Sequence, residues 1–261
     1  QKTLSGGQKR RSFDKNVLAY GPSEGSLAYR QKMCSYFAKH NIEVQPDDIL
    51  VTTGASEAII MTLDCITNEG DELIIPEPFY ANYDTFAAAC GVKVVPISST
   101  IDSNFSLPPI DVIEGKINAK TRAIFICNPN NPTGYVYSKK EFNDLATLVK
   151  KHDLFLIVDE VYREFIYDGV FHHSVLTISG LEEHAILVDS MSKRYSMCGA
   201  RIGCLVSKNK EVMDAALKFA QSRLSPPTLG LLASEAAMDE PLNYLEEVTK
   251  EYLERRNTLS L

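Results

Sequence analysis

Short runs of apolar, β-branched residues alternate with helical segments through the middle of the chain. Apolar residues at nearly every position of such a run indicate a strand covered on both faces, and therefore a mostly parallel sheet. The predicted strands are 48–52, 72–75, 93–97, 123–127, 154–158, 185–189 and 202–206. The predicted helices between them are 56–67, 80–90, 110–117 and 139–151. The pattern predicts an α/β fold, a three-layer sandwich around a mostly parallel sheet.

The last part of the chain, from Asn209 onward, has a helical pattern with one breaker at Pro241. The stretch Leu242–Arg256 is charged and amphipathic, and no capping residue follows it. Because helices usually end at a cap, this pattern predicts that a further element belongs after it. We expect three parts: a partial N-terminal segment at 1–19, a large domain at 20–240, and the start of a helix leading onward at 241–261.

Composition excludes several classes of function. The 34 acidic and 27 basic residues give a net charge of −7 without a basic tract, which argues against a nucleic-acid partner. No apolar run is long enough to span a membrane, and residues 1–14 lack the apolar core of a signal peptide. The six cysteines contain no Cys-x-x-Cys pair, and the adjacent His172 and His173 do not form a metal motif. These features predict a cytoplasmic protein with reduced thiols and no metal.

Two segments match sequence motifs of ATPases. Leu4–Gln8 matches the signature peptide of ATP-binding-cassette ATPases, and Leu154–Glu160 has the pattern of a Walker B strand. The two lie far apart in this chain, whereas they are close together in that family. The G-x-x-x-x-G-K-[ST] phosphate loop is also missing, so we set the ATPase hypothesis aside.

The segment Thr53–Ala58 consists of small and polar residues where a predicted strand ends and a helix begins. Small residues leave backbone amides open there, and the helix dipole favours an anion, so the segment is a candidate phosphate site. The alternative is an ordinary capping box, in which Ser or Thr is followed three residues later by an acid.

A rigid turn is predicted at Asn128–Gly134, whose sequence is Asn-Pro-Asn-Asn-Pro-Thr-Gly. Two prolines and a glycine fix its backbone, and the Asn amides project as donors and acceptors. Ligands of open α/β sheets bind at the carboxyl ends of the strands, where this turn lies. The alternative is a stiff connector without a ligand.

Two further segments place reactive side chains at the same edge. Asp159 ends an apolar strand, with Tyr162 three residues later; a buried acid there needs a cation or a donor, unless it simply caps the next segment. Lys193 follows another strand and is flanked by hydroxyls, with Arg201 after it. A buried lysine can lose its charge and form a Schiff base with a carbonyl, whereas the alternative is a solvated basic turn.

The four segments occur in this order along the chain, and together they resemble the fold-type-I pyridoxal-phosphate enzymes. The likeness is to the class I and II aminotransferases of the aspartate aminotransferase group, and it runs from about Tyr20 to Arg256. It implies the large domain of that fold, with the cofactor pyridoxal 5'-phosphate. The implied function is transfer of an amino group between an L-amino acid and a 2-oxo acid through a ping-pong cycle.

The resemblance also implies roles for individual residues. Lys193 matches the lysine that holds the cofactor covalently and shuttles a proton between Cα and C4′. Asp159 matches the acid that pairs with the pyridinium nitrogen, and Asn131 with Tyr162 matches the pair that binds the phenolic oxygen. Tyr80 lies where an aromatic ring stacks on the pyridine.

The phosphate ligands implied by the resemblance come from two parts of the chain. They are Ala55, Ser56, Ser190 and Arg201, with Ser192 as a weaker candidate. Tyr20 resembles the tyrosine that reaches a phosphate in the neighbouring subunit, which implies a homodimer with composite active sites. The alternative for Tyr20 is an aromatic residue that packs locally in a turn.

Departures from the family bear on activity. The family has an earlier N-terminal arm and a small C-terminal domain, whose arginine grips the substrate α-carboxylate; this sequence ends at Leu261 without a counterpart. We therefore expect a fragment or a truncated protein. Some aspartate-specific relatives carry a lysine where this chain has Ser56, so aspartate is the default donor by resemblance only, with aromatic amino acids close behind. The alternatives are a carbon–sulfur β-lyase on the same scaffold and a cofactor-binding remnant without turnover.

Overall fold

The computed structural model of the protein describes residues 18–239 and 243–259; the Leu4–Gln8 peptide and Pro241 lie outside these ranges. One sheet forms the centre, and its strands are β1 (Ile49–Thr52), β2 (Glu72–Glu77), β3 (Lys93–Ser98), β4 (Thr121–Cys127), β5 (Phe155–Asp159), β6 (Ala185–Ser190) and β7 (Gly203–Val206). The α-helices are α1 (Leu27–Ala38), α2 (Gly54–Ile66), α3 (Asn82–Ala89), α4 (Ile110–Glu114), α5 (Lys139–Lys151), α6 (Met191–Arg194), α7 (Lys210–Arg223), α8 (Thr228–Ala237) and α9 (Asn243–Leu259). Short 3-10 helices lie at Pro46–Asp48, Ile101–Ser103, Val175–Thr177 and Cys198–Ala200.

The strand order across the sheet is β1-β7-β6-β5-β4-β2-β3. Strands β2 to β6 pair in parallel, whereas β7 is antiparallel to both of its neighbours, β1 and β6. Because β7 is antiparallel to both β1 and β6, these two strands run in the same direction. The carboxyl ends of β1, β4, β5 and β6 therefore meet at one edge, where β7 begins. The predicted mostly parallel sheet is confirmed, with β7 as the exception.

Two apolar cores cover the two faces of the sheet. Along β4, Ile124 and Ile126 belong to one core while Phe125 and Cys127 belong to the other, as the alternation of a strand requires. Helices α1, α5 and α8 pack on the first face, and α2, α3 and α7 pack on the second. This arrangement confirms the three-layer sandwich.

The structure corrects the predicted elements in three places. Helix α1 was not predicted at all. The C-terminal helical region has a break between α7 and α8, where Leu224 has a φ of +83° and two prolines follow. Proline lacks the amide hydrogen that a continuing helix needs, so the prediction of a single breaker at Pro241 was wrong. Helix α2 begins at Gly54, two residues earlier than predicted, which puts Ala55 and Ser56 in its first turn.

Two features are absent from the described ranges. No helix there is both long enough and apolar enough to cross a membrane. The same residues contain no group of three or more His, Cys, Asp or Glu side chains that could bind a metal ion. All six cysteines are free thiols.

Candidate active site

A cavity of about 200 Å³ opens at the edge where β1, β4, β5 and β6 end. Nine of the ten residues predicted for the site line it: Ala55, Ser56, Tyr80, Asn131, Asp159, Tyr162, Ser190, Lys193 and Arg201. The weaker candidate Ser192 lines it as well. Tyr20 lies outside the cavity with 77% of its surface exposed. Segments separated by more than a hundred residues in the chain thus form one concave surface.

The first turn of α2 forms one end of the cavity. Amides in the first turn of a helix have no partner within the helix, and here the side chain of Thr53 makes no capping bond. The capping-box alternative is therefore not observed with Thr53. The amide of Thr53 itself donates to Glu57 Oε2 at 2.6 Å, and Arg223 neutralises that carboxylate at 2.8 Å. What remains is a group of open amides at the positive end of a helix.

Arg201 closes this end of the cavity. Its Nη1 donates to the carbonyl oxygen of Cys198 at 2.9 Å, and its Nη2 lies 3.4 Å from that of Thr53. Gly54 has a φ of +75°, and a Cβ on this residue would lie 2.1 Å from Arg201 Nη2. A side chain at position 54 would therefore need an unfavourable positive φ and would displace the guanidinium of Arg201.

The hydroxyl groups of Ser190 and Ser192 lie at the same end of the cavity. Ser190 Oγ donates to Ser192 Oγ at 2.7 Å and accepts from the amide of Ser192 at 3.0 Å. Arg201 makes no ion pair with a described residue, so its charge is available to a ligand. Open amides, a guanidinium and two hydroxyls are the donors that bind a phosphate group.

The buried acid of the site is Asp159, at the end of β5. Its Oδ2 accepts from the hydroxyl of Tyr83 at 2.9 Å, and its Oδ1 accepts from the amide of Val161 at 3.1 Å. Burial raises the pKa of Asp159 to about 6, although both hydrogen bonds act in the opposite direction. The expected capping contact is therefore present on one oxygen, while the other oxygen has a side-chain donor.

Tyr162 connects the remaining polar groups. Asn131 Nδ2 lies 3.5 Å from the Tyr162 hydroxyl, and Lys193 Nζ lies 5.6 Å from the centre of the Tyr162 ring. Burial raises the pKa of Tyr162 to about 12, so the phenol keeps its proton at neutral pH. Lys193 itself is exposed, so the expectation of a buried lysine is wrong for this structure. Its amine instead faces an open cavity beside the Tyr162 ring.

Within the Asn-rich turn only one amide reaches the cavity. Asn128 donates to the carbonyl of His173 at 3.0 Å and accepts from the amide of Tyr137 at 3.0 Å. Asn130 accepts from the amide and the hydroxyl of Thr133 at 3.1 and 2.9 Å. These two side chains hold the turn in shape, which leaves Asn131 as the one that lines the cavity.

Another cavity, of about 510 Å³, lies at the opposite edge of the sheet, beside the amino end of β1. Acidic and basic side chains are mixed along its wall, including Glu24, Arg30, Asp47 and Lys208. None of the predicted site residues lines it. Its larger volume is therefore not a reason to prefer it as the active site.

The donor set of the smaller cavity fits pyridoxal phosphate. An anion site, a buried carboxyl, a phenol with an amide beside it, and a primary amine are all present around one space. These groups match the phosphate, the ring nitrogen, the phenolic oxygen and the aldehyde of that cofactor in number and in chemical type. The exposed ring of Tyr80, 5.5 Å from that of Tyr83, adds an aromatic wall.

The family model for aminotransferase class I and II matches residues 7–260 of the sequence. The chain belongs to this family. It is 33% identical over 253 residues to the aromatic-amino-acid aminotransferase 2 of Thermococcus litoralis, covering 95% of this chain and 64% of that protein. It is 33% identical over 252 residues to the aspartate aminotransferase of Pyrococcus abyssi, with the same two coverages. The chain thus spans 64% of the length of these curated relatives.

Solved structures of this family share the fold. The aromatic aminotransferase of Pyrococcus horikoshii superposes with a TM-score of 0.89 and 32% identity, covering 96% of this chain and 68% of that one. The aspartate aminotransferase of Thermotoga maritima has a TM-score of 0.89 and 28% identity, covering 96% of this chain and 66% of that one. The α/β architecture described above is therefore that of the aminotransferase large domain.

Sequence reasoning missed part of the site in this aminotransferase family member. Tyr83, which bonds Asp159, was not predicted, although it follows Tyr80 by only three positions and their rings are 5.5 Å apart. The exposed thiol of Cys198 also lines the cavity, but nothing in its sequence context signals that position.

Proposed function

We propose that the chain is the cofactor-binding part of a pyridoxal-phosphate-dependent aminotransferase. The reaction would move an amino group between an L-amino acid, aspartate-like by resemblance, and a 2-oxo acid. The observation that carries this proposal is the cavity itself, which brings Lys193, Asp159, Asn131, Tyr162 and Arg201 around one space.

Residues at the first end of the cavity would bind the phosphate. The amides at Ala55 and Ser56 would donate to its oxygens, with Ser190 and Arg201 on the other side and Ser192 nearby. Because α2 presents its positive end here, a dianion gains from the helix dipole as well as from the guanidinium.

Asp159 would pair with the protonated ring nitrogen. Its carboxyl has a pKa of about 6, raised by burial, and a cation at hydrogen-bond distance would lower that pKa and hold the carboxylate ionised. When bound, the cofactor supplies an electron sink that stabilises negative charge at the Cα of the amino acid. Asp159 would keep that sink effective by holding the proton on the ring nitrogen.

Lys193, Tyr162 and Asn131 would act at the other side of the ring. Lys193 would hold the cofactor covalently through Nζ and later carry a proton between Cα and C4′. The Tyr162 hydroxyl and the Asn131 amide would bind the phenolic oxygen, and the Tyr80 ring would stack on the pyridine. Tyr20 would reach the phosphate of a second subunit, which makes the proposed active unit a homodimer with composite sites.

The proposed domain division is a partial N-terminal segment at 1–19, a cofactor-binding large domain at 20–240, and the start of a connecting helix at 241–261. The six free thiols support a cytoplasmic location, where cysteines remain reduced. Relatives named for aspartate and for aromatic amino acids support amino-acid and 2-oxo-acid substrates.

The test is an absorbance spectrum of the purified chain with added pyridoxal phosphate, before and after L-aspartate, L-glutamate and an aromatic amino acid. We expect a visible band that borohydride fixes onto the peptide containing Lys193, and that one amino acid converts to the pyridoxamine form. Lys193→Ala should lose the band, whereas Lys140→Ala, at an exposed lysine paired with Asp144 outside the cavity, should keep it. An unchanged band in Lys193→Ala would refute the assignment.

A further inference from the structure

A cluster of charged side chains is buried behind the candidate cavity, on the sheet face that α1 covers. We call it the charged cluster; its members are Glu160, Arg163, Glu164, Asp189 and Arg194. Four of these side chains have no exposed surface, and that of Glu164 is 7% exposed. None of the five lines the cavity, so the proposed chemistry does not account for them.

The charged cluster is linked to the cavity through the backbone. Four of its members are sequence neighbours of proposed cofactor contacts: Glu160 of Asp159, Arg163 of Tyr162, Asp189 of Ser190, and Arg194 of Lys193. Consecutive side chains of a strand point to opposite faces, which explains why Ser190 lines the cavity while Asp189, its neighbour on β6, faces the core. A shift in the cluster would therefore move the neighbouring site residues directly.

The ion pairs of the charged cluster cross between two turns. Arg163, on the turn that carries Tyr162, donates from Nη1 to Asp189 Oδ2 at 3.1 Å, at the end of β6 from which the Lys193 turn starts. Arg194, next to Lys193, donates from Nε to Glu164 Oε1 at 2.7 Å, on the turn that carries Tyr162. Arg194 also reaches Asp189 Oδ2 through Nη2 at 2.6 Å. Each of the two segments thus carries an arginine that forms an ion pair with a carboxylate of the other segment.

Helix α1 contributes Tyr36, which contacts both arginines of the charged cluster. The Tyr36 hydroxyl accepts from Arg163 Nη1 at 2.9 Å and donates to Glu164 Oε1. The guanidinium of Arg194 lies 3.8 Å from the centre of the Tyr36 ring. The two arginines are therefore held by carboxylates along their edges and by an aromatic ring against the guanidinium of Arg194.

Stability alone is a poor explanation for this arrangement. The desolvation of buried charges offsets most of their attraction, and apolar replacements of similar shape are often equally stable. Burial alone would raise the pKa of Glu164, but Arg194 and Arg163 outweigh it and hold that pKa at about 2, so the carboxylate stays charged. A planar arginine fork bound at two ends fixes direction as well as distance.

We propose that Arg163 and Arg194 are positioning residues, whose crossed ion pairs hold the turn of Lys193 at a fixed spacing from the turn of Tyr162. This inference rests on the proposed function, in which Lys193 holds the cofactor and Tyr162 binds its phenolic oxygen. The two arginines touch neither cofactor nor substrate and act through the side chains beside them.

The first test uses Arg194→Lys in the full chain without added cofactor. Lysine keeps the positive charge, but its single ammonium group cannot span Asp189 and Glu164 as the guanidinium does. We expect amide hydrogen exchange in α6, which carries Lys193, to accelerate about tenfold. If this variant does not fold, Glu164→Ala carries the test, because it removes the carboxylate on the turn of Tyr162 and leaves Arg194 its ion pair with Asp189.

Two control variants test whether the effect belongs to these ion pairs. Arg122→Lys makes the same substitution at the ion pair with Asp71, 3.0 Å long and at the opposite edge of the sheet, and should leave exchange in α6 unchanged. Glu164→Gln keeps an oxygen in the place of Oε1. Amide exchange in α6 should therefore be as slow in this variant as in the wild type, in contrast to the faster exchange expected in Glu164→Ala. Wild-type exchange in α6 of a folded Arg194→Lys or Glu164→Ala chain would overturn the proposal, as would equal acceleration in Arg122→Lys.

The second test adds pyridoxal phosphate and records circular dichroism in the visible band, which reports how the protein holds the ring. Arg194→Lys should weaken this signal per bound cofactor, while Arg122→Lys should keep the wild-type signal. An unchanged signal in Arg194→Lys would overturn the positioning role. Failure of the wild-type chain to capture pyridoxal phosphate on Lys193 would instead refute the proposed function, and the exchange comparison would still decide whether the crossed ion pairs hold the turn.

Discussion

The hydroxyl of Tyr83 donates a 2.9 Å hydrogen bond to Oδ2 of Asp159, and both side chains are buried. This bond stabilises the ionised carboxyl and so lowers a pKa that burial raises. We expect Tyr83→Phe to raise the pKa of Asp159 above its value of about 6 and to destabilise the fold by about 1 kcal/mol. The pH titration of the carboxyl infrared band measures the shift, with Asp159→Asn identifying the band. An unchanged midpoint would contradict the prediction.

Asp159 itself should weaken the fold of the cofactor-free chain at neutral pH. Its pKa is about 6 in the folded state against 3.8 for an unperturbed carboxyl, so the folded state binds more protons between these values and its stability falls as pH rises through that window. We therefore expect Asp159→Asn to stabilise the chain by about 1–3 kcal/mol at pH 7. The gain should vanish near pH 4 in urea unfolding; a gain independent of pH would argue against this cause.

The same Asp159→Asn chain should bind pyridoxal phosphate more weakly, because a neutral amide cannot hold a protonated ring nitrogen as a carboxylate does. Equilibrium titration of the visible band at pH 7.5 measures this. A more stable protein with lower cofactor affinity would be a direct case of stability sacrificed at a functional site. Unchanged affinity would remove Asp159 from the cofactor site.

Gly54 should be essential for anion binding. In Gly54→Ala the new Cβ would lie 2.1 Å from Arg201 Nη2, so the guanidinium must leave its position. We expect at least about a tenfold loss of affinity for inorganic phosphate and for pyridoxal phosphate, equivalent to roughly 1.4 kcal/mol. Gly70→Ala is the matched control, because Gly70 has a similar φ of +84° with nothing within 4 Å of its would-be Cβ. Equal losses in both variants would show that backbone strain alone is responsible.

The cysteines should differ sharply in reactivity. Cys198 is exposed and lines the cavity, whereas burial raises the pKa of Cys65 and of Cys90 to about 12 and makes thiolates rare there. We expect iodoacetamide at pH 8 to label Cys198 first, and pyridoxal phosphate to slow that labelling. Cys34 on α1 lies outside the cavity and serves as the control whose rate the cofactor leaves unchanged. Equal slowing of both thiols would contradict a bound cofactor beside Cys198.

The strands were predictable because each is a short apolar run, and the order of the motifs placed the site at one sheet edge. The antiparallel direction of β7 was not predictable, since an apolar run such as that of residues 203–206 carries no mark of its orientation. Helix α1 escaped prediction because the side it buries includes Arg30, Tyr29 and Tyr36, whose polar atoms weaken the apolar period.

Side-chain partners were the least predictable part. The residues of the cavity belong to recognisable motifs, but Tyr83 and the charged cluster depend on contacts across the sheet. Nothing in the sequence marks Glu160 or Arg163 as buried, because charged residues are rarely fully buried without a partner. Only the fold brings Asp189 and Tyr36 to Arg163.

The sheet order also bears on how the protein is made. Strand β1 is an edge strand whose one sheet neighbour among the described strands is β7, so it emerges from the ribosome long before its partner exists. The helix start at Ala55 and the guanidinium of Arg201 can meet only once both strands have been synthesised. During translation the central strands β2 to β6 are therefore all synthesised before β7, which follows Arg201 in the chain and pairs with β1.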